Sequence, residues 1–236
     1  MEIKKYLIYL KELFIKKRFN YTPLSDDEYI QRFGVKIENG ERVVEFKDKL
    51  EKAYTKAWEN RDFEINKFWT RAAYFWGFIV LIFGGYLTLL TSEHNSKAYE
   101  MNLDLYLLLL GFLFSLSWYL VIRGSKGWQE NWEAHIDLLE DLVSGPLYKT
   151  IHYRGNRFYS VSKLNEILAL VIIFVWCGLF YNYASKLTYS LNIVKIDFQI
   201  TLPIIVTIVI TFVLRFGYCK GDYKSAKNKF FDRWKR

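Results

Sequence analysis

Twenty consecutive residues, Ala72 to Thr91 (AAYFWGFIVLIFGGYLTLLT), carry no charge. Wound as a helix, a run of that length is about 30 Å long, the thickness of the hydrocarbon core of a bilayer. Arg61, Lys67 and Arg71 precede it. Trp69, Tyr74 and Trp76 sit near one end and Tyr86 toward the other, where amphipathic rings favour the water–lipid boundary. A helix buried in a soluble protein usually keeps one wet face, and this run has none, so lipid is the solvent that suits it.

Three more charge-free runs follow: 105–122, 167–185 and 198–214. All 33 basic and 25 acidic residues fall outside the four runs, so a mean hydropathy near zero conceals a chain sorted into oil and charge. The expected fold is an all-α integral membrane protein with four transmembrane helices and long cytoplasmic helical extensions. Pro203 falls in the first turns of the last run, where a missing N–H costs little. Thirty of the 33 basic residues lie before span one, between spans two and three, or after span four. The bias of lysine and arginine toward the cytoplasm then places both termini inside. The start of the chain lacks the continuous apolar core and small-residue cleavage site of a signal peptide, so span one would serve as the insertion signal. Cys177 and Cys219 form no CxxC pair and read as free thiols, with acylation of Cys219 beside the membrane as the alternative.

The polar segments carry their own patterns. Residues 1–45 begin with a basic amphipathic helix over 1–19, suited equally to anionic lipid or to another helix of an assembly. Ser25 and Glu28 form a capping box that starts a short helix ending near Phe33, with Gly34 behind it. Asn39-Gly40 marks a two-residue turn, so 35–46 reads as a small hairpin, although Ile37 would face Arg42. From Phe46 to Thr91 one helix is expected, striped by Leu50, Tyr54, Trp58, Phe68 and Trp69 before it enters span one. Segment 123–166 contains a second amphipathic helix after span two, with Trp128, Trp132, Ile136, Leu139 and Val143 on its apolar side. Glu133, His135, Asp137 and Glu140 form the polar face expected to receive a cytoplasmic partner. Gly155-Asn156 suggests another turn, and Ser162 is the expected cap of span three, with Glu166 in its first turn. In 215–236 the residues Tyr223, Ala226, Phe230 and Trp234 share one helical side. That tail reads as a basic helix whose Lys220, Lys224, Lys227, Lys229 and Arg233 meet anionic headgroups. Its bases border a membrane and make no compact basic domain, which excludes nucleic acid as the partner.

None of the four runs contains an ionisable residue, which argues against a proton-coupled pump or charge-gated conduction through one bundle. The histidines His94, His135 and His152 form no metal-ligand spacing, and no P-loop, nucleophile elbow or kinase signature is present. The chain is therefore expected to be no enzyme and to hold neither metal nor cofactor. Small residues repeat at helix-packing spacings, Ala73, Gly77 and Gly84 in span one and Gly111 and Ser115 in span two.

Three stretches together carry a family likeness: 50–86 (LEKAYTKAWENRDFEINKFWTRAAYFWGFIVLIFGGY), 124–140 (GSKGWQENWEAHIDLLE) and 145–165 (GPLYKTIHYRGNRFYSVSKLN). They resemble the RipA-like family of small bacterial membrane proteins. The resemblance covers roughly residues 50–185 and is most distinctive over WQENWEAHID. It implies a homo-oligomer of the bacterial inner membrane, an octamer, and no established activity. Independently, the two cytoplasmic stripes are larger than one small subunit readily covers. That predicts self-association into a closed ring through Trp58, Phe68, Trp69, Trp128, Trp132, Ile136 and Leu139. Two roles fit such a ring: a scaffold with a cytoplasmic interaction face, or a channel whose lumen is lined by groups such as Ser115, Ser117, Thr207 and Thr211.

Overall fold

In the computed structural model, residues 20–93, 96–152, 159–190, 197–216 and 230–234 are described. The expected helix over 1–19, the turn at 155–156, Cys219 and the headgroup lysines Lys220, Lys224, Lys227 and Lys229 lie outside them. The described elements are β1 (Asn20–Leu24), α1 (Asp26–Gln31), β2 (Val35–Glu38), β3 (Glu41–Val44), α2 (Lys47–Thr91), α3 (Ser96–Glu100), α4 (Leu103–Leu139), α5 (Val161–Ser190), α6 (Phe198–Phe216) and β4 (Phe230–Trp234). The fold is all-α in its main elements, and α2, α4, α5 and α6 are each long and apolar enough to cross a membrane.

The long helices follow from the sequence between breakers. α2 runs 45 residues, about 68 Å of helix, because neither proline nor glycine interrupts it before Gly77. α4 runs 37 residues without a break, so span two and the tryptophan helix, read separately from sequence, are one element. Gly124 and Gly127 each cost about 1 kcal/mol relative to alanine. The continuation buries Ile136 and Leu139, which offsets that cost. The helix ends instead at the turn Glu140–Leu142, where Val143, Ser144 and Gly145 all donate to the Glu140 carbonyl and Gly145 takes a left-handed φ of 74°.

The described residues divide into a membrane unit (69–93, 96–123, 159–190, 197–216) and a polar unit (20–68, 124–152, 230–234). In the membrane unit Ile82, Tyr86, Leu108 and Trp176 form a buried cluster with Phe83, Leu107 and Phe112 against it. Its tightest point is Gly111. A side chain there would overlap the Trp176 ring, whose indole N–H donates to Ser115 Oγ at 3.1 Å. Ser115 itself donates to the Gly111 carbonyl at 2.8 Å. The cap of α5 is Ser160 and not Ser162: its carbonyl accepts Leu164 N–H at 3.1 Å, and its side chain lies 3.5 Å from Lys163 N. Glu166 therefore falls in the second turn, where it pairs with Arg123 at 3.6 Å. Asp197 caps α6, accepting Gln199 N–H at 2.8 Å.

In the polar unit, α1 begins with the expected capping box. The hairpin β2–β3 forms with Ile37 opposite Arg42 and positive φ at Asn39 (54°) and Gly40 (84°), as its two-residue turn requires. Tyr29, Ile30, Val35, Leu50 and Leu139 make the core, so α1 and the hairpin cover the start of α2 and the end of α4. One expectation fails. The tail is not helical at Phe230–Trp234, which pairs antiparallel with β1, Asn20 opposite Trp234 and Leu24 opposite Phe230. Aromatic residues suit strands as well as helices, and the deciding contact comes from more than 200 residues away, where no local period reports it.

Replacing Gly111 with alanine should lower thermal stability in detergent by about 1–3 kcal/mol, the usual cost of overpacking. Gly77→Ala and Gly84→Ala meet open space among the described residues and should leave monomer stability unchanged or slightly raised, as circular-dichroism melts can check.

Candidate functional site

Within the polar unit, α2 and the end of α4 meet around Arg61. Its guanidinium carbon lies 5.4 Å from the ring centres of both Trp58 and Tyr148, and those rings meet edge to face at 5.3 Å. Glu133 stands 3.7 Å from Arg61 Nε and 4.0 Å from Lys126 Nζ, while Asp62 takes the other side of the guanidinium at 3.2 Å. Arg61 thus ties two helices and the loop after α4 together through charge and stacking at once.

The residues expected to form an open polar face do otherwise. Glu140 is fully buried, and its two carboxylate oxygens accept the backbone N–H groups of Tyr148 (2.7 Å) and Lys149 (3.1 Å). Glu140 lies four residues after the fully buried Ile136, so the phase of α4 carries it to the inward side. Glu133 belongs to the Arg61 set. His135 shares a hydrogen bond through Nδ1 with the Tyr29 hydroxyl and stacks on Trp132, ring centres 5.2 Å apart. Burial pushes His135 down to about 4 and raises Tyr29 above its ordinary value. Asp137 remains partly exposed and is shifted upward, first by burial and then by Glu140.

The expected interface residues divide into two groups. Phe68, Ile136 and Leu139 are buried within the chain, and Trp58 and Trp132 are half-buried in the contacts above. Trp69 (49%) and Trp128 (37%) stay exposed. Of the small residues, Gly111 and Ser115 meet Trp176, whereas Ala73, Gly77 and Gly84 face outward. Arg233 lies in β4 and not on a helix. The bases of 45–70 and the acids of 126–143 suggest charge pairing between the two helices, and Arg61 with Glu133 is such a pair; Tyr148 is what sequence reasoning passes over, because it lies 90 positions from Trp58 and nothing local joins them. Among the described residues, no group of three or more His, Cys, Asp or Glu side chains could hold a metal ion.

Residues 51–185, which hold most of α2 and α5 and all of α4 with its tryptophan-rich extension, match the octameric membrane protein family (8xMP). The chain belongs to the octameric membrane protein family. No curated protein and no solved structure matches it. The 8xMP match starts in α2 beside Leu50 and ends in α5. It takes in Arg61, Trp58, Glu133, Glu140 and Tyr148, and leaves out α1, the hairpin and α6.

His135 gives the polar unit a pH dependence. Its folded-state value lies below the ordinary 6.5, so between pH 6.5 and about 4 the unfolded chain takes up a proton that the folded chain refuses. Stability should fall as pH drops through that window, by up to roughly 3 kcal/mol. Melting curves at pH 7.5 and 5 should show the loss, and the double variant Tyr29→Phe, His135→Phe should show much less of it.

Proposed function

We propose that the chain is a non-enzymatic membrane scaffold that closes into a homo-octameric ring in a bacterial inner membrane, with both termini and the polar unit in the cytoplasm. Membership of the octameric family carries the reading. The lopsided distribution of bases supports the sidedness, and the likeness to RipA-like proteins supports the bacterial inner membrane. Anionic lipid at the basic tail and a cytoplasmic protein partner belong to the same proposal. The sequence offers no acid–base constellation on which to rest catalysis.

A channel through the ring is the second reading, and one observation weighs against it. Ser115 and Thr207 are buried inside the chain, and the Thr211 hydroxyl is buried as well. Ser115 is occupied by Trp176. Three of the four polar groups suited to a lumen are thus turned into the bundle.

Mass measurement in mild detergent should give about eight times the 28.3 kDa chain, and a monomer would end the ring reading. Liposomes containing the assembled protein should hold an ion gradient as long as empty ones. Protein-dependent leakage would replace the scaffold with the channel.

A further inference from the structure

Asp104 is a buried acid of the membrane unit, 9% exposed in the first turn of α4. Aspartate suits a first helical turn because the N-terminal dipole attracts an anion, but there it ordinarily keeps its carboxylate in water. Asp104 accepts the Leu105 N–H at 2.8 Å. Lys186 of α5 is a base within electrostatic reach, and it stays exposed. Among the described residues no ion pair is made by Asp104. A carboxylate taken out of water without a cation beside it is costly.

Other oxygens gather at the same place. Leu108, one turn further along α4, packs with Tyr86 of α2 and Trp176 of α5 in the buried cluster, and Tyr183 lies against it. The helical repeat sets Asp104 on the same face as Leu108, at the end of that cluster. Tyr86 and Tyr183 are both within electrostatic reach of its carboxylate. Tyr86 is 7% exposed, yet its hydroxyl forms no hydrogen bond among the described residues. An enclosed phenol usually finds a partner. Tyr183 donates to Asn102 Oδ1 at 3.3 Å, which holds Asn102 in the turn before α4 at a left-handed φ of 53°.

Three helices and a turn thus bring a carboxylate, two hydroxyls and an amide oxygen to one end of the membrane unit. We propose that Asp104, Tyr86, Tyr183 and Asn102 bind a hard metal cation that enters where α2 ends and α4 begins. Hard cations take oxygen ligands and fill the rest of their shell with water. The cation supplies the positive charge that Asp104 lacks and engages the oxygen of Tyr86. Because one ligand alone is acidic and the others are neutral, no group of His, Cys, Asp and Glu marks the place. The site lies within one chain and does not depend on the ring.

The test uses full-length protein in mild detergent, stripped of metal by a chelator, with ionic strength held constant by N-methylglucamine chloride. Sodium, potassium, magnesium and calcium chlorides are exchanged in, one at a time, while melting is followed by circular dichroism. At least one should raise the melting midpoint by a few degrees and saturate. Asp104→Asn should abolish that rise. Tyr86→Phe keeps the ring against Trp176 and should raise the half-saturating concentration about tenfold. No rise with any of the four cations would overturn the proposal, and so would a rise that survives Asp104→Asn. Should Asp104→Asn fail to fold, Tyr86→Phe decides: an unchanged half-saturation removes the site. A parent protein whose midpoint climbs on acidification and ignores all four cations would show that Asp104 takes a proton instead, which also overturns the proposal.

Discussion

A chain that crosses lipid must satisfy every backbone N–H and C=O within each crossing, since the hydrocarbon offers no partner. That demand makes the four apolar runs helices and shapes what lies outside them. Once α2 and α4 are wound in the membrane, each ladder extends into water without the cost of a new nucleus. The polar unit is accordingly built on helix that already exists: the first part of α2 and the last part of α4 supply Leu50 and Leu139 to its core. The short pieces α1 and β2–β3 add Tyr29, Ile30 and Val35 to that core, and could bury little by themselves.

What could be read from the sequence follows the range of the interaction. Spans show in runs of about twenty residues. The capping box at Ser25 and the turn at Asn39-Gly40 show in four residues, and each stands where its pattern places it. The uninterrupted passage of α4 through Gly124 and Gly127 is less visible, because two glycines beside charged residues look like the end of a span. A base on α2 paired with an acid on α4, as Arg61 is with Glu133, could be read from the two charge patterns, but the place of Tyr148 and the inward turn of Glu140 could not. Glu140 looks like a solvated acid on an amphipathic face, and only the distant backbone N–H groups of Tyr148 and Lys149 explain how a carboxylate is accommodated inside. The pairing of β4 with β1 is set at still longer range and has no local signature.

Small residues divide in the same way. Gly111 and Gly77 carry the same spacing signal, and sequence treats them alike. The structure separates them by what lies opposite: Trp176 covers Gly111, while Gly77 has open space among the described residues. The glycine alone reports that a backbone can be approached; the partner's size and hydrogen-bonding need decide whether it is. Trp176 supplies both, because its indole N–H requires an acceptor in a place without water, and Ser115 lies one turn from Gly111 to provide it.

The solvent also decides where self-association can draw its free energy. Between helices in lipid the hydrophobic effect is nearly absent, and contact rests on packing and on a few hydrogen bonds worth about 0.6 kcal/mol each. Ala73, Gly77 and Gly84 can set how closely two spans approach, but they supply little of the drive. In water each exposed valine, leucine or isoleucine carries its full transfer free energy. An apolar side chain left exposed in water can therefore add more to a contact than a small residue of a span can add in lipid.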